Sequence, residues 1–257
     1  MPGSVIMTFM SIIIATSIST TPAFAKRNKA EPVTKTTLQT SPATPSQPVG
    51  DAPMVEANAQ ATKYVMTSKP SEEKFEQVPM MLSRTLIAGE TTTELKNVSY
   101  GLRKKAVFGL VPVRVYTIQL LAANPEKLVR TEDGFLASLK DAGPVQLRMT
   151  FLRDLPGQKV ADSFKEGLEA NKITTRSMSP ELAAVMSEVA SIKKFTKDES
   201  FSITAVWNAN QVSLLLEDSV QIKTFNGSPA LAENILSIWF GKPADSKLKD
   251  LKIALIK

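Results

Sequence analysis

Cysteine and histidine are both missing from the 257 residues of this chain. Without cysteine there is no disulfide staple and no thiolate to act as nucleophile or metal ligand. Without histidine the commonest general base and zinc ligand is gone. A Ser-His-Asp hydrolase is excluded, and a zinc hydrolase loses its usual ligands. Long blocks of one charge are also missing: the net charge is +6, yet no five like charges run together. That pattern gives a mildly basic surface rather than a groove for nucleic acid. What remains is ordinary globular material, 43% hydrophobic and 22% charged, enough for one large domain or two small ones.

The first 25 residues carry no charged side chain. Their apolar run Val5–Ile18 has the length of a signal-peptide core and is short for a membrane span. Pro22-Ala23-Phe24-Ala25 follows, with small residues at the −3 and −1 positions before Lys26. The expectation is a cleaved leader at 1–25 that exports the chain to a bacterial periplasm. Residues 26–75 are rich in Thr, Ser, Pro, Ala, Gln and Lys, with few large apolar residues. Such a segment buries too little surface to offset the entropy of ordering, so a disordered linker is expected there. The globular domain is expected over 76–257.

The domain is organised around residues 100–121, YGLRKKAVFGLVPVRVYTIQLL, two apolar runs flanking a Gly-Leu-Val-Pro break. Strands are expected at Val78–Ala88, Leu95–Arg103, Val113–Leu121 and Val145–Leu152. Asp154 is placed to cap a helix with Pro156 in its first turn. Val160, Phe164, Leu168 and Asn171 then share one face of that helix. A second helix begins at Ser179-Pro180-Glu181. Three strands follow at Phe201–Trp207, Val212–Leu216 and Val220–Phe225, then a helix capped by Ser228 and ended by Gly241, and a last amphipathic helix over 245–256. Strands and helices in this order predict an α+β fold, helices on one face of a largely antiparallel sheet.

Several strings in this order resemble the bacterial chalcone isomerase-like family: GLRKKAVF at 101–108, Val115-Tyr116, FLRD at 151–154, EGLEAN at 166–171, FNG at 225–227 and SIWFGKPADSKLK at 237–249. The resemblance spans roughly residues 80–255. It implies an open-faced β-sandwich, with a ligand cleft between a large antiparallel sheet and a layer of helices. The family holds plant flavonoid isomerases and non-catalytic relatives, some of which bind fatty acids. The resemblance puts the family's pocket arginine at Arg103, an anchor for a substrate oxyanion or a fatty-acid carboxylate. It puts the next pocket position at Tyr116, where plant isomerases have threonine and fatty-acid binders resemble this tyrosine. A catalytic-type tyrosine and an asparagine of the helix fall on Phe164 and Asn171. The asparagine is kept; the phenylalanine has no hydroxyl to donate.

That replacement favours a non-catalytic protein binding a fatty acid or similar amphipathic carboxylate through Arg103, Tyr116, Phe164 and Asn171. Loss of one hydrogen-bond donor to a developing oxyanion typically costs about 10²–10³ in rate. Two alternatives stand beside it: an intramolecular lyase acting on a chalcone-like or other phenolic or enone substrate, and an envelope interaction protein. No cofactor, metal or nucleic-acid partner is expected. Blander roles are open for each residue: Arg103 as a solvated strand-end cation, Tyr116 and Phe164 as core, Asn171 as a helix C-cap. Arg153 is expected to pair with a neighbour. The lysines of the last helix leave membrane contact as a minor possibility.

Overall fold

Eight runs of β-forming residues pair in simple chain order, each antiparallel to the next. They are β1 (Tyr64–Phe75), β2 (Val78–Ala88), β3 (Thr91–Val107), β4 (Val111–Ala122), β5 (Val145–Phe151), β6 (Ser200–Asn208), β7 (Gln211–Glu217) and β8 (Ile222–Gly227). The computed structural model describes residues 62–107 and 111–257. The expected leader, and the expected linker up to residue 61, lie outside the described residues.

The last part of that expected linker is corrected. Residues 64–75 form β1, an edge strand joined to β2 by Glu76 and Gln77, both at positive φ (53° and 69°). Its sequence is polar because most of β1 is exposed, so hydrophobic patterning could not find it. Only residues such as Tyr64, Met66 and Phe75 are anchored by packing, Phe75 on the Tyr100 ring.

On one face of the sheet, Ile118, Leu120, Val145, Leu147, Met149, Ile203 and Leu214 are fully buried under helices. Those helices are the single turn α1 (Phe135–Ser138), α2 (Gly157–Ala170), α3 (Pro180–Ser191), α4 (Pro229–Phe240) and α5 (Ser246–Ile256). On the other face the sheet curls over itself. Arg84 of β2 reaches Glu217 of β7, and Leu86 of β2 packs with Val206 of β6 and Leu215 of β7. The result is a curled antiparallel half-barrel with helices on its convex side, an α+β fold of the expected kind.

The helix starts are partly as expected. Ser179 caps α3 by accepting from the Leu182 N–H. Asp154 does not cap α2, because the chain turns into the helix only at Pro156. Its carboxylate instead accepts from the Lys197 backbone N–H (2.8 Å) and Lys194 Nζ (3.0 Å), tying the α2 entry to the segment before β6. Ser228 sits at the N-cap of α4 but makes no side-chain cap bond. The last strand begins at Ile222 rather than Val220, since Asp218 Oδ1 accepts from the Val220 and Gln221 N–H groups and folds those residues into a turn.

The apolar stripe of α5 is used internally. Leu248, Leu251 and Leu255 are buried in the main core, and Leu251 lies so close to Gly101 that a Cβ there would come within 2.5 Å of Leu251 Cδ1. This leaves no apolar face on α5 for a membrane. Among the described residues no helix is long and apolar enough to cross one.

Candidate functional site

Arg103 and Tyr116 are register partners across the β3–β4 ladder, and Tyr116 is in turn opposite Phe151 of β5. Side chains directly opposite on one sheet face lie close together, so the charge and the hydroxyl share one patch of wall. Both border a cavity of about 680 Å³ between β3–β5 and α2. Val115, Phe151, Leu155, Val160 and Phe164 make most of its apolar lining.

α2 roofs this cleft because Gly157 lets its first turn press on the end of α3. The Gly157 N–H donates to the Ile192 carbonyl at 3.1 Å, and a Cβ at Gly157 would collide with that same oxygen. From there the helical repeat turns Val160 and Phe164 inward together.

Arg103 is 4% exposed, so the solvated strand-end reading is corrected: it is a buried, paired cation. Nη1 donates to Asp245 Oδ1 (2.9 Å) and to the Lys104 carbonyl (2.6 Å), and Nη2 donates to Asp245 Oδ2 (2.5 Å). Asp245 also caps α5, accepting from the Leu248 N–H at 2.7 Å. One edge of the planar guanidinium is therefore occupied. The other edge carries Nε–H and the second Nη2–H, a fork matched to a carboxylate. Nε has no protein partner among the described residues. Burial works against the Arg103 charge, but Asp245 outweighs it and raises the guanidinium above its ordinary range.

Tyr116 is 7% exposed and its hydroxyl accepts from Trp239 Nε1 at 3.0 Å. With a lone pair committed to Trp239, the phenol proton is free to be donated. Burial raises its pKa despite the opposing pull of Arg103 and of the Trp239 bond, so the phenol stays protonated at neutral pH. Phe164 stacks edge-on against Trp239, ring centroids 5.1 Å apart, and lines the same cleft without adding a polar atom.

Asn171 is not part of this site. It is the C-cap of α2, and its amide stitches that end to α4. Nδ2 donates to the carbonyls of Gly167 (2.8 Å), Ser237 (3.1 Å) and Lys242 (3.0 Å), and Oδ1 accepts from the Lys242 N–H (2.7 Å). The ligand-binding expectation for Asn171 is thus corrected: every polar atom of its amide is engaged by backbone. Arg153 is corrected too. It forms no ion pair among the described residues and stands exposed at the cleft with Lys159, while Lys105 and Glu166 bridge the rim at 2.7 Å. Sequence reasoning missed Asp245 and Trp239, the residues that orient Arg103 and Tyr116. Both lie within the string 237–249, but nothing local in that string signals a partner far away on β3 or β4.

Comparison with known proteins agrees with this architecture. A solved structure of a fatty-acid binding protein from Arabidopsis thaliana is similar with a TM-score of 0.52 at 20% sequence identity, over 73% of this chain and 96% of that one. At that identity the likeness speaks for the fold. No curated protein matches the chain by sequence. The chalcone isomerase-like family profile matches residues 78–251, more than half of the 257. The chain belongs to the chalcone isomerase-like family.

Proposed function

We propose that this protein binds a fatty acid or similar amphipathic carboxylate in the cleft between sheet and α2, without turning it over. One observation carries the reading: Arg103, paired on only one edge, and Tyr116 border the same largely apolar cavity of about 680 Å³. That volume lies within the range of about 300–1,000 Å³ usual for small-molecule sites. A carboxylate seated on the Nε/Nη2 edge gains charge-assisted hydrogen bonds worth roughly 1.5–3 kcal/mol, and the Tyr116 proton gives it a further donor. Each methylene laid against Val115, Phe151 and Val160 adds about 0.8 kcal/mol, so the tail dominates affinity.

The fatty-acid binding activity named for the Arabidopsis thaliana structure supports the same class of ligand. Proton-transfer chemistry has less support here. Phe164 brings a ring without a hydroxyl, and Asn171 is held by α4 rather than facing the cleft. Export to a periplasm belongs to the same proposal and rests on the apolar run Val5–Ile18 and the small residues before Lys26. N-terminal sequencing of the mature protein, beginning at Lys26, tests that part.

Titration with n-alkanoates of rising length tests the binding. Affinity is expected to climb about fourfold per methylene until the cleft is filled, and alkanols of the same length should bind more weakly. Absence of saturable binding at every chain length overturns the proposal.

A further inference from the structure

A second cationic feature lies on the opposite face of the sheet, away from the cleft. Along β5, Val145, Leu147 and Met149 face the helices, while Gln146, Arg148 and Thr150 face the concave interior of the half-barrel. Arg84 is engaged there through all three of its nitrogens. Its Nε donates to Ser68 Oγ (2.9 Å), Nη1 to Gln146 Oε1 (3.0 Å) and Glu217 Oε2 (2.7 Å), and Nη2 to Glu217 Oε1 (2.8 Å). The Glu217 carboxylate is thus taken by Arg84 on both oxygens.

Arg148 stands in the same row of the sheet. It is opposite Ser202, which is opposite Glu217 on the next strand. Arg148 is half-buried, its one hydrogen bond among the described residues runs from Nη1 to Thr150 Oγ1 at 3.1 Å, and it enters no ion pair there. On β4, the neighbouring Gln119 is closed off, bonded at both amide ends to the Met81 backbone. With Arg84 reaching in from β2, the concave face around Glu217 carries two guanidinium charges and one carboxylate. A half-buried guanidinium beside a second cation, with most of its fork unmatched by protein, is open to an anion. Beside it, apart from the Glu217 already taken by Arg84, are the hydroxyls of Ser202, Thr150 and Ser200, the last two bonded to each other at 2.8 Å.

We propose that Arg148 anchors an oxyanion site on the concave face, taking a carboxylate or phosphate group on its open guanidinium edge, with the Ser202 hydroxyl as a further donor. The planar fork matches either group bidentately. Independently of that geometry, burial and the neighbouring Arg84 push Arg148 down to about 10, against the partial relief from Glu217. An anion bound here would restore balance.

The test is thermal unfolding of the full chain in inorganic phosphate or acetate, with chloride holding the ionic strength constant. In the wild type, one of the two anions is expected to raise Tm saturably, by about 3–6 °C at about ten times its dissociation constant. The stronger of the two names the group. Arg148→Gln should abolish that response while its Tm in chloride alone equals or exceeds wild type, because an unbalanced charge has been removed. Arg148→Lys, which keeps the charge and loses the fork, should weaken the anion's apparent affinity about fivefold or more. The proposal is overturned if phosphate and acetate act no differently from chloride, if Arg148→Gln responds like wild type, or if Arg148→Gln is less stable than wild type in chloride.

Discussion

Asp245 holds one edge of the buried Arg103 guanidinium with both carboxylate oxygens while the same carboxylate caps α5. The pair is asymmetric: the Arg103 side chain is 5% exposed and that of Asp245 is 35%. The cation is thus fixed from the solvent side, and only its far edge is left for a ligand. An interaction between residues 142 positions apart decides which way the site points.

Asp245→Asn keeps a capping side chain but removes the charge opposite Arg103. A loss of roughly 1–3 kcal/mol at neutral pH is expected by urea denaturation. The pH dependence gives a second signature. Burial tends to raise the Asp245 carboxyl, but Arg103 and the Leu248 N–H overcome it and hold it below its ordinary value of 3.8. A carboxyl lowered by folding contributes stability that is present above 3.8 and lost as pH falls through the folded value. Wild type should therefore lose part of its stability below pH 3.8, and Asp245→Asn should lack that part.

Trp239→Phe tests the orientation of the Tyr116 proton. The ring still packs against Phe164, but the Nε1–H donor to Tyr116 is gone. The phenol is then free to rotate or to find another partner. Alkanoate affinity should fall about 2- to 10-fold, the size of one neutral hydrogen bond, as read by calorimetric titration. Alkanol affinity should change less.

Asn171→Ala should separate structure from binding. It removes the amide that serves the carbonyls of Gly167, Ser237 and Lys242 and the N–H of Lys242, so a loss of about 2–4 kcal/mol is expected from the orphaned groups. Alkanoate affinity measured well below the new Tm should stay within about twofold of wild type, a difference of less than one hydrogen bond.

Gly157→Ala places a methyl against the Ile192 carbonyl and must shift α2 away from α3. Overpacking of this kind costs about 1–3 kcal/mol. Because α2 roofs the cleft through Val160 and Phe164, affinity for long alkanoates should drop along with Tm.

Residues 100–107 and 111–121 were readable because alternation and β-branching agree there, and the family resemblance marks Arg103 and Tyr116. The expected break lies partly outside the described residues, and its Val111 and Pro112 belong to β4. The cleft shared by Arg103 and Tyr116 follows from their pairing across β3 and β4. Alternation alone would not give that register, because the ladder is irregular at Asn97/Ser99 and at Arg103/Lys104. Other features were opaque for definite reasons. β1 is a polar edge strand, so no hydrophobic period marks it. Asp154 has the chemistry of a cap, yet Pro156 delays the helix and turns its carboxylate toward Lys194 and Lys197. Asn171 shares the inward stripe of α2 by spacing, but it falls at the helix end, where carbonyls of α4 compete for it. Asp245 and Trp239 reach their partners only through tertiary packing.

The most direct measurement is the dissociation constant of dodecanoate, against dodecanol, for wild type and for the double variant Arg103→Gln with Asp245→Asn. The double change removes the cation without leaving a carboxylate unpaired beside it, and an amide pair can still bond across the same gap. Loss of a charge-assisted pair should weaken dodecanoate at least about tenfold and leave dodecanol within about twofold. Unchanged dodecanoate affinity in the double variant, or an equal loss for both ligands, would contradict Arg103 as the carboxylate anchor.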